Sequence, residues 1–241
     1  MQTLENKTVI ITGGSKGIGR VLALRLAKEK ANVVITARNE NELNSTEKEL
    51  KQLSKNILAV KADVSVYDDV KRTVNETVKK FGNIHYLVNN AAAFGHDSVK
   101  DFDVNKWKKV FEVNVFGTFM MCKEVLPHME KLADTTGGTI INIASTAGRR
   151  GDAGASAYSA SKFALTGFSE SLFKEVRQQN IRVVLVYPSM VDTKVKDESE
   201  LKQIGKGVYM RAEDVADSII LAMKLPQRAM LKDIEIWGTN P

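Results

Sequence analysis

The sequence predicts an α/β fold, a single doubly wound parallel sheet of about seven strands flanked by helices. Three observations predict it. Short β-branched apolar runs alternate with helical patterns of roughly 10–15 residues along the whole chain. The first run passes directly into a glycine-rich turn and then a helix. The 241 residues are 43% hydrophobic, with no repeat and no linker-like stretch where a second domain would begin.

Residues 8–12, Thr-Val-Ile-Ile-Thr, read as a strand buried on both faces. Gly13-Gly14-Ser15-Lys16-Gly17-Ile18-Gly19 follows, and Ile18, Leu22, Leu26 and Ala27 then recur at helical spacing over 18–30. A second strand is expected at 32–36, a polar helix at 41–54 and a third strand at 57–61. A helix over 68–81 ends at Gly82, which supplies the left-handed stop, and a fourth strand covers 85–89. One long helix is expected over 105–131, with Phe111, Val115, Phe119 and Cys122 on one side and Asn114 as a polar interruption. Gly137-Gly138 marks a turn before a fifth strand at 139–144. A helix at 157–178, a sixth strand at 181–187 stopped by Pro188, a helix at 212–225 and a last strand at 233–237 complete the pattern. The charged stretch 189–207 has no strand period and reads as a loop with some helix, and a short lid segment is expected near 189–210.

Composition narrows the function. The net charge is +6, but lysines alternate with acids, as in Lys100-Asp101-Phe102-Asp103, so the charge reads as a solvated surface. No basic stripe with interleaved aromatics points to nucleic acid. The N-terminal residues lack the apolar core of a signal peptide, and no apolar run approaches the ~18 residues of a membrane helix. Cys122 is the single cysteine, which excludes an internal disulfide and fits a reducing, cytoplasmic setting. It reads as a buried structural thiol. His85, His96 and His128 lie far apart in sequence, so no metal site is expected.

The glycines between a strand and a helix permit a tight turn and close approach of a phosphate, which the free N–H groups of the helix start then hold. Their spacing, Gly-x-x-x-Gly-x-Gly from Gly13 to Gly19, differs from the commoner Gly-x-Gly-x-x-Gly. An acid at the end of the second strand would bind the ribose hydroxyls of NAD, but Ala37-Arg38 stands there. Arg38 and Lys16 are suited instead to a 2′-phosphate, which favours NADP(H). Tyr158 and Lys162, four residues apart, share a helix face. A nearby ammonium lowers a phenol's pKa from about 10, which suits a general acid acting on a carbonyl oxygen. Ser145, ending the fifth strand, can bond the same oxygen.

Thr-Gly-x-x-x-Gly-x-Gly, Asn89-Asn90-Ala91, Ser145 and Tyr158-x-x-x-Lys162 occur here in one order. Together they resemble the classical branch of the short-chain dehydrogenase/reductase family, over nearly the whole chain. The resemblance implies a Rossmann-type fold and a tetrad of Asn114, Ser145, Tyr158 and Lys162. Tyr158 would be the acid in reduction and the base in oxidation, and Ser145 would polarise the carbonyl. Lys162 would hold the nicotinamide ribose and lower the Tyr158 pKa, and Asn114 would fix a water continuing the relay. It further implies that Gly13, Ser15, Gly17, Ile18 and Gly19 surround the pyrophosphate and that Asp63 and Val64 meet adenine. Asn90 would stand beside the ribose, and Val191 and Thr193 would face the carboxamide. Two departures, Ala92 and Ser189 in place of the family's usual glycines, would narrow or shift the nicotinamide end.

The expected activity is NADPH-dependent reduction of a ketone or other small-molecule carbonyl. Oxidation of a secondary alcohol by the same residues is the alternative, and a non-catalytic NADP(H)-binding regulator is disfavoured because Ser145, Tyr158 and Lys162 are all present. A homodimer or homotetramer is implied, built on the helices bearing Asn114 and Tyr158. The substrate pocket is expected at 93–98, 146–156 and 189–210. Arg149, Arg150 and Lys194 would suit an acidic substrate, Phe94 and Tyr187 an apolar ketone.

Overall fold

The computed structural model describes residues 1–192 and 210–239. Thr193, Lys194 and most of the expected lid lie outside the described residues. Seven parallel strands form one sheet in the order β3-β2-β1-β4-β5-β6-β9. They are β1 (Thr8–Thr12), β2 (Asn32–Ala37), β3 (Ile57–Lys61), β4 (Tyr86–Asn89), β5 (Gly138–Ile143), β6 (Ile181–Pro188) and β9 (Asp233–Ile236). The β1, β4, β5 and β6 residues are buried throughout, which is why their sequences are mostly apolar and β-branched. β9 closes the edge and alternates exposed with half-buried positions.

Helices cover both faces. On one, α1 (Gly17–Lys28), α2 (Glu40–Leu53) and α7 (Ala212–Lys224) bury Leu22, Leu26, Leu50 and Ile219 against the sheet. On the other, α3 (Tyr67–Phe81), α5 (Thr118–Glu130) and α6 (Ser156–Val176) bury Val74, Val125 and Leu172. Gly82, at φ 79, terminates α3 as expected. The chain runs outward from β1 to β3 and then returns to place β4 on the other side of β1. Loops leaving the carboxyl ends of β1 and β4 therefore diverge, and a crevice opens between them.

The expected single helix over 105–131 is interrupted. α4 (Val104–Phe111) runs into a π-helical turn, Glu112–Gly117, before α5 begins. The extra residue in that turn rotates the buried face. Val110, Val113, Met121 and Cys122 point inward, whereas Phe119 is half exposed and Phe111 and Val115 lie on the flank. Gly117 permits this path, because a Cβ there would stand 2.8 Å from Val64. A second difference lies in the stretch read as a loop. Val191–Asp192 (β7) pairs in parallel with Met210–Arg211 (β8), two strands too short to show a sequence period.

Among the described residues no helix is long and apolar enough to cross a membrane, and no three His, Cys, Asp or Glu side chains are grouped to hold a metal.

Candidate active site

A cleft of about 1110 Å³ occupies the crevice. Its floor is the turn after β1. Gly13 sits at φ 64 and Gly17 at φ 54, in the left-handed region that glycine enters without a steric penalty. A Cβ on Gly13 would stand 2.9 Å from the Ala91 Cα, and one on Gly19 would stand 2.5 Å from the Gly13 carbonyl oxygen. The turn is held by its neighbours. Asn90 Nδ2 donates to the carbonyls of Thr12 and Gly13, both at 3.0 Å. Thr12 Oγ1 accepts from the backbone N–H groups of Asn90 and Ala91, also at 3.0 Å. Asn90 is thus a clamp between β1 and β4 as well as a lining residue.

The start of α1 meets the requirements of a pyrophosphate site. Its N-cap, Lys16, makes no side-chain capping bond, and no acid occupies the first turn. The first N–H groups of the helix and the positive end of its dipole therefore face the cleft without a protein anion to satisfy them. Gly13, Ser15, Lys16, Gly17 and Ile18 all line the cleft, while Gly19 lies just behind it.

At the end of the cleft beside β2 and β3, each cation meets an acid. Lys16 Nζ is 3.5 Å from Glu42 Oε1, and Arg38 Nη1 is 3.8 Å from Asp63 Oδ2. Ser15 Oγ donates to the other Glu42 oxygen at 3.3 Å. Burial by itself would raise the Asp63 pKa. The hydroxyl and N–H of Ser65, with Lys109 and Arg38, outweigh it and hold the carboxyl below its usual value. Glu42 escaped the sequence reading. The signal available was an acid four residues beyond Arg38, in the first turn of α2, where the dipole favours it.

At the end beside β4 and β6, Tyr158 lines the cleft from the first turn of α6. Burial raises its phenol pKa, and a hydrogen bond with Ser145 pulls it back. Ser145 lies two residues beyond β5 in extended backbone and caps the short turn Thr146–Gly148, where its Oγ accepts from the Ala147 N–H at 3.2 Å. Lys162 lies beneath the tyrosine, 2% exposed, with Nζ 5.5 Å from the Tyr158 ring centroid. Its ammonium donates to the Ile143 carbonyl at 2.7 Å, and burial pushes its pKa down to about 8. The expectation that Lys162 lowers the Tyr158 pKa is therefore not met here. The ammonium is turned to a backbone carbonyl, and Ser145 is the group that opposes burial of the phenol.

Asn114 is buried inside the π-helical turn. Its Oδ1 accepts from the Ala93 N–H at 2.7 Å, and its Nδ2 donates to the Ala93 carbonyl at 3.0 Å and to Ser161 Oγ at 2.9 Å. Both amide hydrogens are committed to protein, so Asn114 braces the loop after β4 against α6. The sequence reading missed Ala93 and Ser161 as its partners.

Asp63, Val64 and Val191 border the cleft. The stretch 146–156, expected to line the pocket, does not reach it. Arg149 instead stacks over Tyr187 at 4.1 Å and pairs with Glu235 at 3.6 Å, and Arg150 stacks over Trp237 at 4.7 Å. Tyr187 is itself buried. These contacts fasten the stretch to β6 and to the edge strand β9.

A family model described as short chain dehydrogenase matches residues 7–204. Carbonyl reductase family member 4 of Xenopus laevis is 34% identical over 225 residues, 92% of each chain. An uncharacterized oxidoreductase of Staphylococcus epidermidis is 29% identical over 236 residues, 98% of this chain and 99% of its own. Among solved structures, a metagenomic short-chain oxidoreductase in complex with NADP superposes with a TM-score of 0.83 at 25% identity, covering 99% of this chain and 100% of the other. Levodione reductase gives 0.84 at 25% identity, covering 97% and 96%. The seven-stranded sheet, the glycine turn and this match over most of the chain make the protein an oxidoreductase of the short-chain dehydrogenase family.

Proposed function

We propose that the protein is an NADPH-dependent carbonyl reductase in which Tyr158 is the general acid. The observation that carries this reading is a single cleft bordered by both the glycine turn and Tyr158, with Ser145 beside the phenol and Lys162 buried beneath it. The cofactor held by the glycine turn would, when bound, supply a hydride to the carbonyl carbon. Ser145 and Tyr158 direct their hydroxyls at the carbonyl oxygen, and Tyr158 releases its proton to that oxygen as negative charge develops there. Lys162, buried under the phenol, would hold the nicotinamide ribose of the bound cofactor. Asn114 fixes the loop after β4 so that Ala92 and Ala93 keep the cleft wall in place.

The preference for NADPH rests on Lys16 and Arg38, both bordering the cleft, and on the absence of an acid at the end of β2. The NADP complex of a structural neighbour supports it. Thr193, expected at the carboxamide, lies outside the described residues. The protein acts in the cytoplasm on a small molecule. It assembles as a homodimer or homotetramer through the π-helical turn, α5 and α6, on whose surfaces Phe116, Phe119 and Phe163 are 57%, 46% and 46% exposed.

Absorbance at 340 nm with NADPH or NADH across a panel of ketones and dicarbonyls tests the reading. The expected result is NADPH oxidation that Tyr158→Phe abolishes. Wild-type preference for NADH would overturn the assignment of Lys16 and Arg38, and tight NADPH binding with no turnover would favour a regulator.

A further inference from the structure

We propose that the reactive end of the cleft takes a carbonyl bearing an apolar, preferably aromatic, substituent, and that Phe94 is the side chain that selects it. The inference rests on the reductase reading and adds the substrate class. Phe94 lines the cleft, is 68% exposed, and meets the Tyr158 ring edge-on at 5.0 Å between centroids. A large apolar ring left in water beside the proton donor is a surface that a bound substrate can cover.

The ring is held in position from both sides along the chain. Ala93, before it, is bound through N–H and carbonyl by Asn114. Gly95, after it, packs so closely on Phe102 that a Cβ would stand 2.7 Å from that ring. His96 stacks against Phe94 at 6.4 Å and presses on Gly154, whose φ of 79 and lack of a Cβ make room for the imidazole. The Asp97 N–H donates to the Gly154 carbonyl at 2.7 Å. An aromatic fixed in this way loses little freedom when a substrate packs on it.

The charge distribution points the same way. Among the described lining residues, Lys16, Arg38, Glu42 and Asp63 are all at the β2–β3 end. The remaining lining residues include Ala91, Ala92, Ala93, Phe94, Val113 and Val191, which carry no charge, and the amide of Asn90. Arg149 and Arg150, the cations adjacent in sequence, are stacked on Tyr187 and Trp237. A carboxylate on the substrate would lose water here without gaining a charged partner from the described lining.

Three diketone-type substrates separate the contributions. 1-Phenyl-1,2-propanedione and 2,3-butanedione differ by the ring, and phenylglyoxylate replaces the methyl ketone with a carboxylate. The proposal predicts a kcat/KM for the phenyl dione at least about tenfold above butanedione, with phenylglyoxylate lowest. Phe94→Ala should collapse the ring preference through KM, and Phe94→Leu should restore part of it. Calorimetric binding of 1-phenylethanol to the enzyme with NADP+ should weaken roughly tenfold in Phe94→Ala. Turnover without a ring preference, or with phenylglyoxylate preferred, would overturn the proposal and leave the reductase reading standing. Phe94-dependent binding of the aromatic alcohol with no turnover of any carbonyl would support the apolar site and refute the reductase reading.

Discussion

The two ends of the cleft settle their charges in opposite ways. Beside β2 and β3, Lys16 and Arg38 are exposed and paired with Glu42 and Asp63 at 3.5 and 3.8 Å. Such exposed pairs are worth about 0–1 kcal/mol each, so an incoming phosphate can exchange them with little loss. Beside β4 and β6, the charge of Lys162 is buried and held by one carbonyl, with its pKa pushed down to about 8. A buried ammonium costs stability, and folds keep such groups where chemistry needs them. Substitutions at the first end should adjust affinity and selectivity, and substitutions at the second should stop the reaction.

The largest effect that could break this contrast is at Tyr158. Tyr158→Phe should lower turnover by roughly 10³-fold while NADPH still binds, as read by steady-state rates and fluorescence titration. Next is the buried charge. Between a pKa of about 8 in the folded protein and 10.5 for a free lysine, the unfolded chain binds more protons at Lys162. Stability should therefore rise as pH increases from 8 to 10, by up to a few kcal/mol, on the order of 1.4 kcal/mol per unit of pH. The opposite contribution of Cys122, whose thiol burial pushes up from 9.0 to about 12, sets in above pH 9, and that of Tyr86 and Tyr158, whose phenols burial raises, above pH 10. Urea denaturation at pH 8 and 10 should show the rise in the wild type and not in Lys162→Met.

Gly19→Ala tests the floor. Its methyl would meet the Gly13 carbonyl at 2.5 Å and Asn90 Nδ2 at 2.6 Å. The carbonyl is backbone and cannot swing aside, so a loss of about 1–3 kcal/mol is expected, with weaker NADPH binding. The smallest effects sharpen the charged end. Arg38→Ala should weaken NADPH roughly tenfold and leave NADH nearly unchanged, whereas Glu42→Gln should tighten NADPH a few-fold by freeing Lys16. Titrations of both cofactors at low and high salt would check the opposite signs.

Much of this was legible in the sequence because strands buried on both faces are mostly apolar and β-branched. β1, β4 and β6 were readable for that reason. The π-helical turn was not, since one inserted residue changes the phase of a helix without changing its composition, and Gly117 was its only sign. The β7–β8 pair was too short to carry a period. At the site, Tyr158, Ser145, Lys162 and the glycines could be placed from their order along the chain. Their partners depend on how distant elements meet. That is why Glu42 beside Lys16, the Ile143 carbonyl under Lys162, the Asn114 brace on Ala93 and the stacking of Arg149 and Arg150 on Tyr187 and Trp237 were missed.

The most direct measurement compares wild type, Arg38→Ala and Tyr158→Phe in one preparation. It takes the dissociation constant of NADPH from fluorescence and the rate of NADPH oxidation from a single turnover at saturating cofactor. Separable ends predict that Arg38→Ala weakens binding with little change in the saturated rate, and that Tyr158→Phe abolishes the rate with little change in binding. A Tyr158→Phe enzyme that still turns over, or an Arg38→Ala enzyme that binds NADPH as tightly as the wild type, would contradict the account.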